Sequence, residues 1–167
     1  IKVKATLDLS AGSSGDNVYS KCGKTTPGEP KAGEGLYNKA SVDTNDDGQP
    51  EDEDEACGDL PNITVDKSIA TITDLGGNMY EVSYQVLVKN TGGASGDYDL
   101  KDSPGFDDDI ASNSASYTSN AAGNPGGALV GSGPWTLANN QVIAAGATHT
   151  YTLKVKDRKS TRLNSSH

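Results

Sequence analysis

The sequence predicts an all-β fold built in two layers. Between Met79 and Lys89, residues Tyr80, Val82, Tyr84, Val86 and Val88 fall on alternate positions, with Glu81, Ser83, Gln85 and Lys89 between them. A period of two is that of a half-buried strand, not of a helix. β-Branched and aromatic residues fill this run and glycine ends it, which also disfavours a helix. The chain carries 20 glycines beside many Ser, Thr, Asn and Asp residues, as a fold with numerous turns requires.

The elements follow in order. Ile1–Leu9, IKVKATLDL, alternates strictly and reads as a strand. Ser10–Asp16 is a Gly/Ser loop, and Asn17–Cys22 a short strand. Gly23–Gly35, with Pro27 and Pro30, reads as a loop. Gly35–Val42, GLYNKASV, alternates again. Asp43–Asp59 is an acidic run with a turn inside it, closed by Leu60-Pro61. Ile63 and Val65 open a new strand that Ile69 and Ile72 extend. The Met79 run follows, and Asn90-Thr91-Gly92-Gly93 stops it with residues that tolerate positive φ. Tyr98 and Leu100 resume the alternation, so Met79–Asp102 reads strand, turn, strand. Phe106 and Asp107–Tyr117 give a weak strand around Ile110. Asn113–Pro134 reads as a long loop with a short strand at Ala128–Val130. Trp135–Leu137 and Val142–Ile143 are short strands, Ala144–Gly146 turns the chain, and His149–Lys156 is a strong last strand.

Composition narrows the class of protein. The 167 residues suffice for one domain and are marginal for two. A hydrophobic share of 33% implies a thin core. The net charge of −9 argues against nucleic acid and anionic membranes as partners, since both need a positive footprint. No apolar run approaches the roughly 18 residues of a membrane span, so no membrane insertion by this segment is expected. The chain opens mid-strand, without a signal peptide, and is expected to be a fragment or a mature segment. Its last eleven residues, Asp157–His167, break the β pattern and look like the translation of a sequencing adapter. They are expected to be a non-native or disordered tail, so Arg158, Lys159, Arg162 and His167 carry no functional argument.

Three segments carry a family resemblance. They are Asn62–Ile69 (NITVDKSI), Tyr80–Asp102 (YEVSYQVLVKNTGGASGDYDLKD) and Ile143–Val155 (IAAGATHTYTLKV). They resemble the tandem immunoglobulin-like repeats of bacterial secreted and cell-surface proteins, a conserved-repeat family of largely unknown function. Gly35–Val42 followed by Ala56–Pro61 is similar to the end of such a module. Leu153–Lys156 (LKVK) also repeats Ile1–Lys4 (IKVK). The resemblance implies an immunoglobulin-like β-sandwich over 61–156, preceded in 1–60 by the last part of another repeat. It implies a stalk or spacer at the cell surface or outside the cell, or in some cases an adhesin. Partners would then be neighbouring repeats of the same chain, with a host or matrix protein or a glycan for an adhesin.

Two features carry candidate chemistry. Cys22 and Cys57 are an even pair in an acidic, secreted-looking β chain, which favours a disulfide over two reduced thiols. The bridge would close about 35 residues and contribute roughly 3–4 kcal/mol through chain entropy. The second feature is Asp43-Thr44-Asn45-Asp46-Asp47-Gly48, which fits D-x-N-x-D-G, the start of an EF-hand-type calcium loop. Calcium takes roughly six to eight hard oxygens at about 2.3–2.6 Å. Asp43, Asn45 and Asp47 would supply side-chain oxygens, Gln49 its backbone carbonyl, and Glu51 would stand at position nine. Asp54 takes position twelve, where its short side chain reaches less well than glutamate and lowers affinity. The competing reading is a solvated acidic hairpin turn, because Asn, Asp and Gly are also the commonest turn residues.

The other candidates are weaker. His149 reads as a strand-end polar residue, and no G-x-S-x-G accompanies it, so no enzyme is expected. Trp135 fits an inter-sheet core residue or, in an adhesin, a sugar-stacking platform. Asp107–Asp109 reads as solvated. Lys67 lies in the first strand of the second module, where some surface domains form isopeptide bonds, but the sequence identifies no Asn partner for it.

Overall fold

The structure is a computed structural model that describes residues 21–25, 29–30, 32–107 and 110–159. Among these residues every regular element is a strand. The chain divides into two compact units, Ile1–Asp59 and Leu60–His167. The expected strand Ile1–Leu9, the Ser10–Asp16 loop and residues 17–20 of the next strand lie outside the described residues.

In the first unit, β1 (Lys24–Thr25) pairs with β2 (Glu29–Pro30) inside the stretch expected to be loop. β3 (Asn38–Val42) and β4 (Asp52–Ala56) form an antiparallel hairpin with Val42 opposite Asp52. The acidic run is therefore half turn and half strand. Cys22 and Cys57 are bridged, their Cα atoms 6.0 Å apart. Gly35 sits beside the bridge at φ +51°, and a Cβ there would lie 3.0 Å from both sulfurs and 2.8 Å from the Gly58 carbonyl oxygen. Only glycine combines that close approach with that backbone conformation.

The second unit is a two-layer β-sandwich. Its larger sheet orders β5 (Ile63–Gly76), β6 (Met79–Asn90), β11 (Thr148–Lys159), β8 (Ile110–Ser119) and β9 (Gly126–Leu129), all antiparallel. The smaller sheet pairs β7 (Gly96–Asp102) with β10 (Trp135–Ile143). Val86 and Val88 from β6, with Tyr151, Leu153 and Val155 from β11, meet Leu100, Trp135, Leu137 and Ile143 across the layers. The alternation of β6 thus points inward as expected. The most deeply buried strand is nevertheless β11, where Tyr151, Leu153 and Val155 are fully buried. It lies between β6 and β8 and under the second sheet, so both its edges and its inner face are covered. Burying each such side chain contributes about 1.5–3 kcal/mol.

Three expectations need correction. The stretch from Asn113 to Tyr117, which reads both as the end of the weak Ile110 strand and as the start of a long loop, belongs to β8, which runs on to Ser119 with Ala115 and Tyr117 on its inner face opposite Val155 and Leu153. Apart from Tyr117 the residues of β8 after Ile110 are small or polar, so the apolar signal is faint. β10 runs unbroken from Trp135 to Ile143, held through the polar Asn139–Gln141 by pairing with β7 across register shifts. β11 continues past Lys156, and Asp157–Lys159 pair with β8 while Asp157 and Arg158 also pair with β6. Hydrogen bonding on both sides carries the strand three residues into the expected tail; 160–167 lie outside the described residues.

The chain changes layer after β6 because of Asn90. This side chain is 1% exposed. Its Oδ1 accepts from the backbone N–H of Asn62 and of Gly92, both at 3.0 Å. Its Nδ2 donates to the carbonyls of Ala94 at 2.8 Å and Ala144 at 3.2 Å. Gly93 N–H donates to the Leu60 carbonyl, and a Cβ on Gly92 would collide with the same carbonyl at 2.3 Å. Residues 91–94 are thus stitched onto 60–62. The chain then leaves for the second layer instead of folding back on β6, so β7 pairs with β10. Asn90→Ala strands two donors and two carbonyls in the interior. We expect it to cost about 3 kcal/mol or more, measured as a lower denaturant midpoint.

Candidate metal centre and the buried polar groups

The turn joining β3 to β4 is shaped by its own carboxylates. Asp43 Oδ1 accepts from the backbone N–H of Asn45 at 3.2 Å and of Asp46 at 2.7 Å, and Oδ2 accepts from Gly48 at 2.8 Å. Asn45 Oδ1 accepts from Asp47 N–H at 3.0 Å, and Asp47 Oδ1 from Gln49 N–H at 2.8 Å. Asp46 and Gly48 take φ of +67° and +81°. Aspartate tolerates that left-handed region and glycine enters it freely. The Gly48 N–H is the main cause that holds the Asp43 carboxyl below its ordinary range, helped by the N–H groups of Asp46, Asn45 and Asp47. Asp43 therefore stays charged where metal ligands must be charged.

Asp43, Asp47 and Glu51 each present an oxygen here, all within 4.8 Å of one another, and this exposed triad can hold a metal ion. Glu51 is fixed by accepting from Thr44 N–H at 2.7 Å. Asn45 and Gln49 lie in the same turn. Asp54 does not join the triad: it stands within β4 opposite Ala40, and its Oδ1 accepts from Glu55 N–H at 2.9 Å. The strand starts at Asp52, too early for position twelve to curl back over the turn. Glu51, at position nine, supplies the third carboxylate.

The second unit uses its polar side chains as internal ties. The Tyr98 hydroxyl lies 2.8 Å from His149 Nδ1 and 2.8 Å from the Tyr151 hydroxyl. Burial, then the bond to Tyr151, pushes the Tyr98 hydroxyl far above its ordinary pKa. Trp135 is 3% exposed and donates its indole N–H to the Gly131 carbonyl at 3.1 Å, which places it in the core and not on a surface platform. Lys67 Nζ lies 2.6 Å from Asp102 Oδ2 and 4.6 Å from the centre of the Tyr84 ring. No local pattern points to Asp102 as the partner of Lys67, because only the crossing of β7 to the second layer joins them. Among the described residues no helix is long and apolar enough to cross a membrane. A disulfide such as Cys22–Cys57 is more typical of extracellular proteins. The chain matches no protein-family model, no curated protein and no solved structure.

Two measurements follow from these groups. Reducing the bridge, or Cys22→Ser with Cys57→Ser, should destabilise the first unit by roughly 3–4 kcal/mol, read as loss of its unfolding transition. His149 is held below its ordinary pKa of 6.5 by burial. The unfolded chain then takes up a proton near 6.5 while the folded chain does not. Stability should fall as pH drops through that value and level off once the folded histidine protonates. Melting temperatures across this range should show the slope, and His149→Gln should flatten it.

Proposed function

We propose that the chain is a non-enzymatic spacer segment of a large bacterial secreted or cell-surface protein, its second unit an immunoglobulin-like sandwich and its neighbours further repeats. The use of reactive side chains as internal struts carries this reading. His149 and Tyr98 tie strands of opposite layers, Trp135 fills the core, and Asn90 closes the turns. A domain spent on holding its own strands together suits a load-bearing role. The disulfide supports an oxidising compartment outside the cytosol.

Calcium is the cation that fits the acidic turn. Its oxygens are hard, the turn is preformed by backbone N–H groups, and repulsion among the carboxylates is relieved by a divalent ion. Because the triad is exposed, we expect a dissociation constant of about 10⁻⁴–10⁻³ M, as in extracellular calcium modules. The bound ion would stiffen the β3–β4 hairpin by mass action. The second reading, an adhesin module recognising glycan or protein, loses its aromatic platform with the burial of Trp135.

Calorimetric titration of the whole chain with calcium, and melting with and without chelator, test the cation. Saturable binding that Asp43→Ala with Asp47→Ala abolishes is expected. Silence at millimolar calcium would leave a solvated turn and the disulfide as the staple. Single-molecule pulling of tandem copies tests the spacer: unfolding should need more force in oxidising, calcium-containing buffer than in reductant with chelator. Saturable capture of a glycan or matrix protein by the isolated chain would count for the adhesin instead.

A further inference from the structure

The larger sheet is wider than the layer that covers it. Residues directly opposite in an antiparallel pair point to the same face. Val65, Ile69 and Ile72 of β5 stand opposite Val88, Tyr84 and Val82 of β6, and so look into the sandwich. Val88 is 2% exposed, yet Val65 beside it is 61% exposed. Ile69 and Ile72 are as open, at 57% and 62%. The smaller sheet therefore stops over β6 and leaves the inward face of β5 uncovered.

The uncovered place has the dimensions of a strand. β7 pairs with β10 on one side, and its other edge has no strand neighbour among the described residues. β7 runs along β5 in the same direction: a Cβ on Gly96 would lie 3.0 Å from Ile63 Cδ1, and Asp102 meets Lys67. Beside it lies a largely apolar groove of about 280 Å³ whose walls include Val65, Val88 and Leu100. One more strand, hydrogen-bonded to β7, would fill this groove. Nine extended residues, roughly 30 Å of chain, would reach from the level of Ile63 to that of Ile72.

Charge selects the occupant. Asp97 and Asp99 line the same groove, are exposed, and alternate with the inward Tyr98 and Leu100. In an added strand their cross-strand neighbours would be outward side chains about 5 Å away, where opposite charge stabilises and like charge destabilises. A second copy offering its own β5 would bring Asp66 there, on a chain with a net charge of −9.

We propose that the open side of the second unit takes up an extended segment of another protein, apolar at every second residue and basic between, as an added strand beside β7. Its apolar side chains cover Val65, Ile69 and Ile72, its lysines or arginines stand beside Asp97 and Asp99, and its backbone pairs with the free edge of β7. Such uptake uses none of the internal ties and stands independently of the spacer reading.

Titration of the whole chain into the labelled nonapeptide KVKVKIKVK, read by fluorescence anisotropy, tests it, with EVEVEIEVE as the charge-reversed probe. The lysine peptide should bind saturably, and the glutamate peptide at least about tenfold more weakly. Asp97→Lys should narrow that difference, through a loss for the first peptide and a gain for the second. Backbone amide shifts should move at 63–72 and 96–102. Val65→Glu with Ile69→Glu, both at exposed positions, should abolish binding. Asp97→Lys and the shift map decide the matter even if that double variant fails to fold. No saturable binding overturns the proposal, as do equal affinities for the two peptides or shifts confined to the acidic turn at 43–51. A chain that sediments as a dimer, and that Val65→Glu with Ile69→Glu returns to a monomer, would give the place to a second copy and overturn it too.

Discussion

A two-layer β fold must carry its chain from one sheet to the other without leaving backbone groups unpaired, and here that constraint falls on Asn90. Its carboxamide is the right size to accept from two backbone N–H groups and donate to two carbonyls at once. Burying an amide is costly unless it is bonded throughout, and this one is bonded on both its oxygen and its nitrogen. It joins the entry of β5, the turn after β6 and the turn before β11. Those junctions close the end of the sandwich where the inward faces of β6 and β11 meet those of β7 and β10.

The apolar share of the chain is low, and the structure offsets this with specific ties. In the second unit the tyrosine pair with His149, the Lys67–Asp102 contact and the indole N–H of Trp135 each engage a group that would otherwise be buried unpaired. Among the described residues of the first unit, β3 and β4 are exposed almost throughout, and the disulfide ties residue 22 to residue 57. The exposed Lys39–Glu53 pair beside it adds little, because water screens such pairs. The acidic turn works by another route. Its carboxylates shape the backbone first, and the same shaping leaves three oxygens converged for a cation.

The proposed spacer role rests on these internal ties. Asn90, the Tyr98–His149–Tyr151 cluster and the Lys67–Asp102 pair each join elements distant in sequence. The contact between Lys67 and Asp102 joins the edge strand β5 to the other layer.

By itself the sequence determined the strand character of the chain, the bounds of β6, the Asp43 turn and the pairing of two cysteines. Each of these is local: alternation follows from the pleat, turns from residues that accept positive φ, and two cysteines allow a single bridge. The expected end of the last strand, by contrast, was set three residues short, because pairing on both sides of Asp157–Lys159 outweighs their composition. Only the tertiary structure decided the rest. β8 is nearly invisible in Ser112–Ser116, because its residues there are small or polar. Glu51 replaces Asp54 in the acidic triad because β4 begins before position twelve. Asp102 meets Lys67, and Tyr98 meets His149, because β7 crosses to the other layer, and these partners stand 35 and 51 positions apart, beyond the reach of any local pattern.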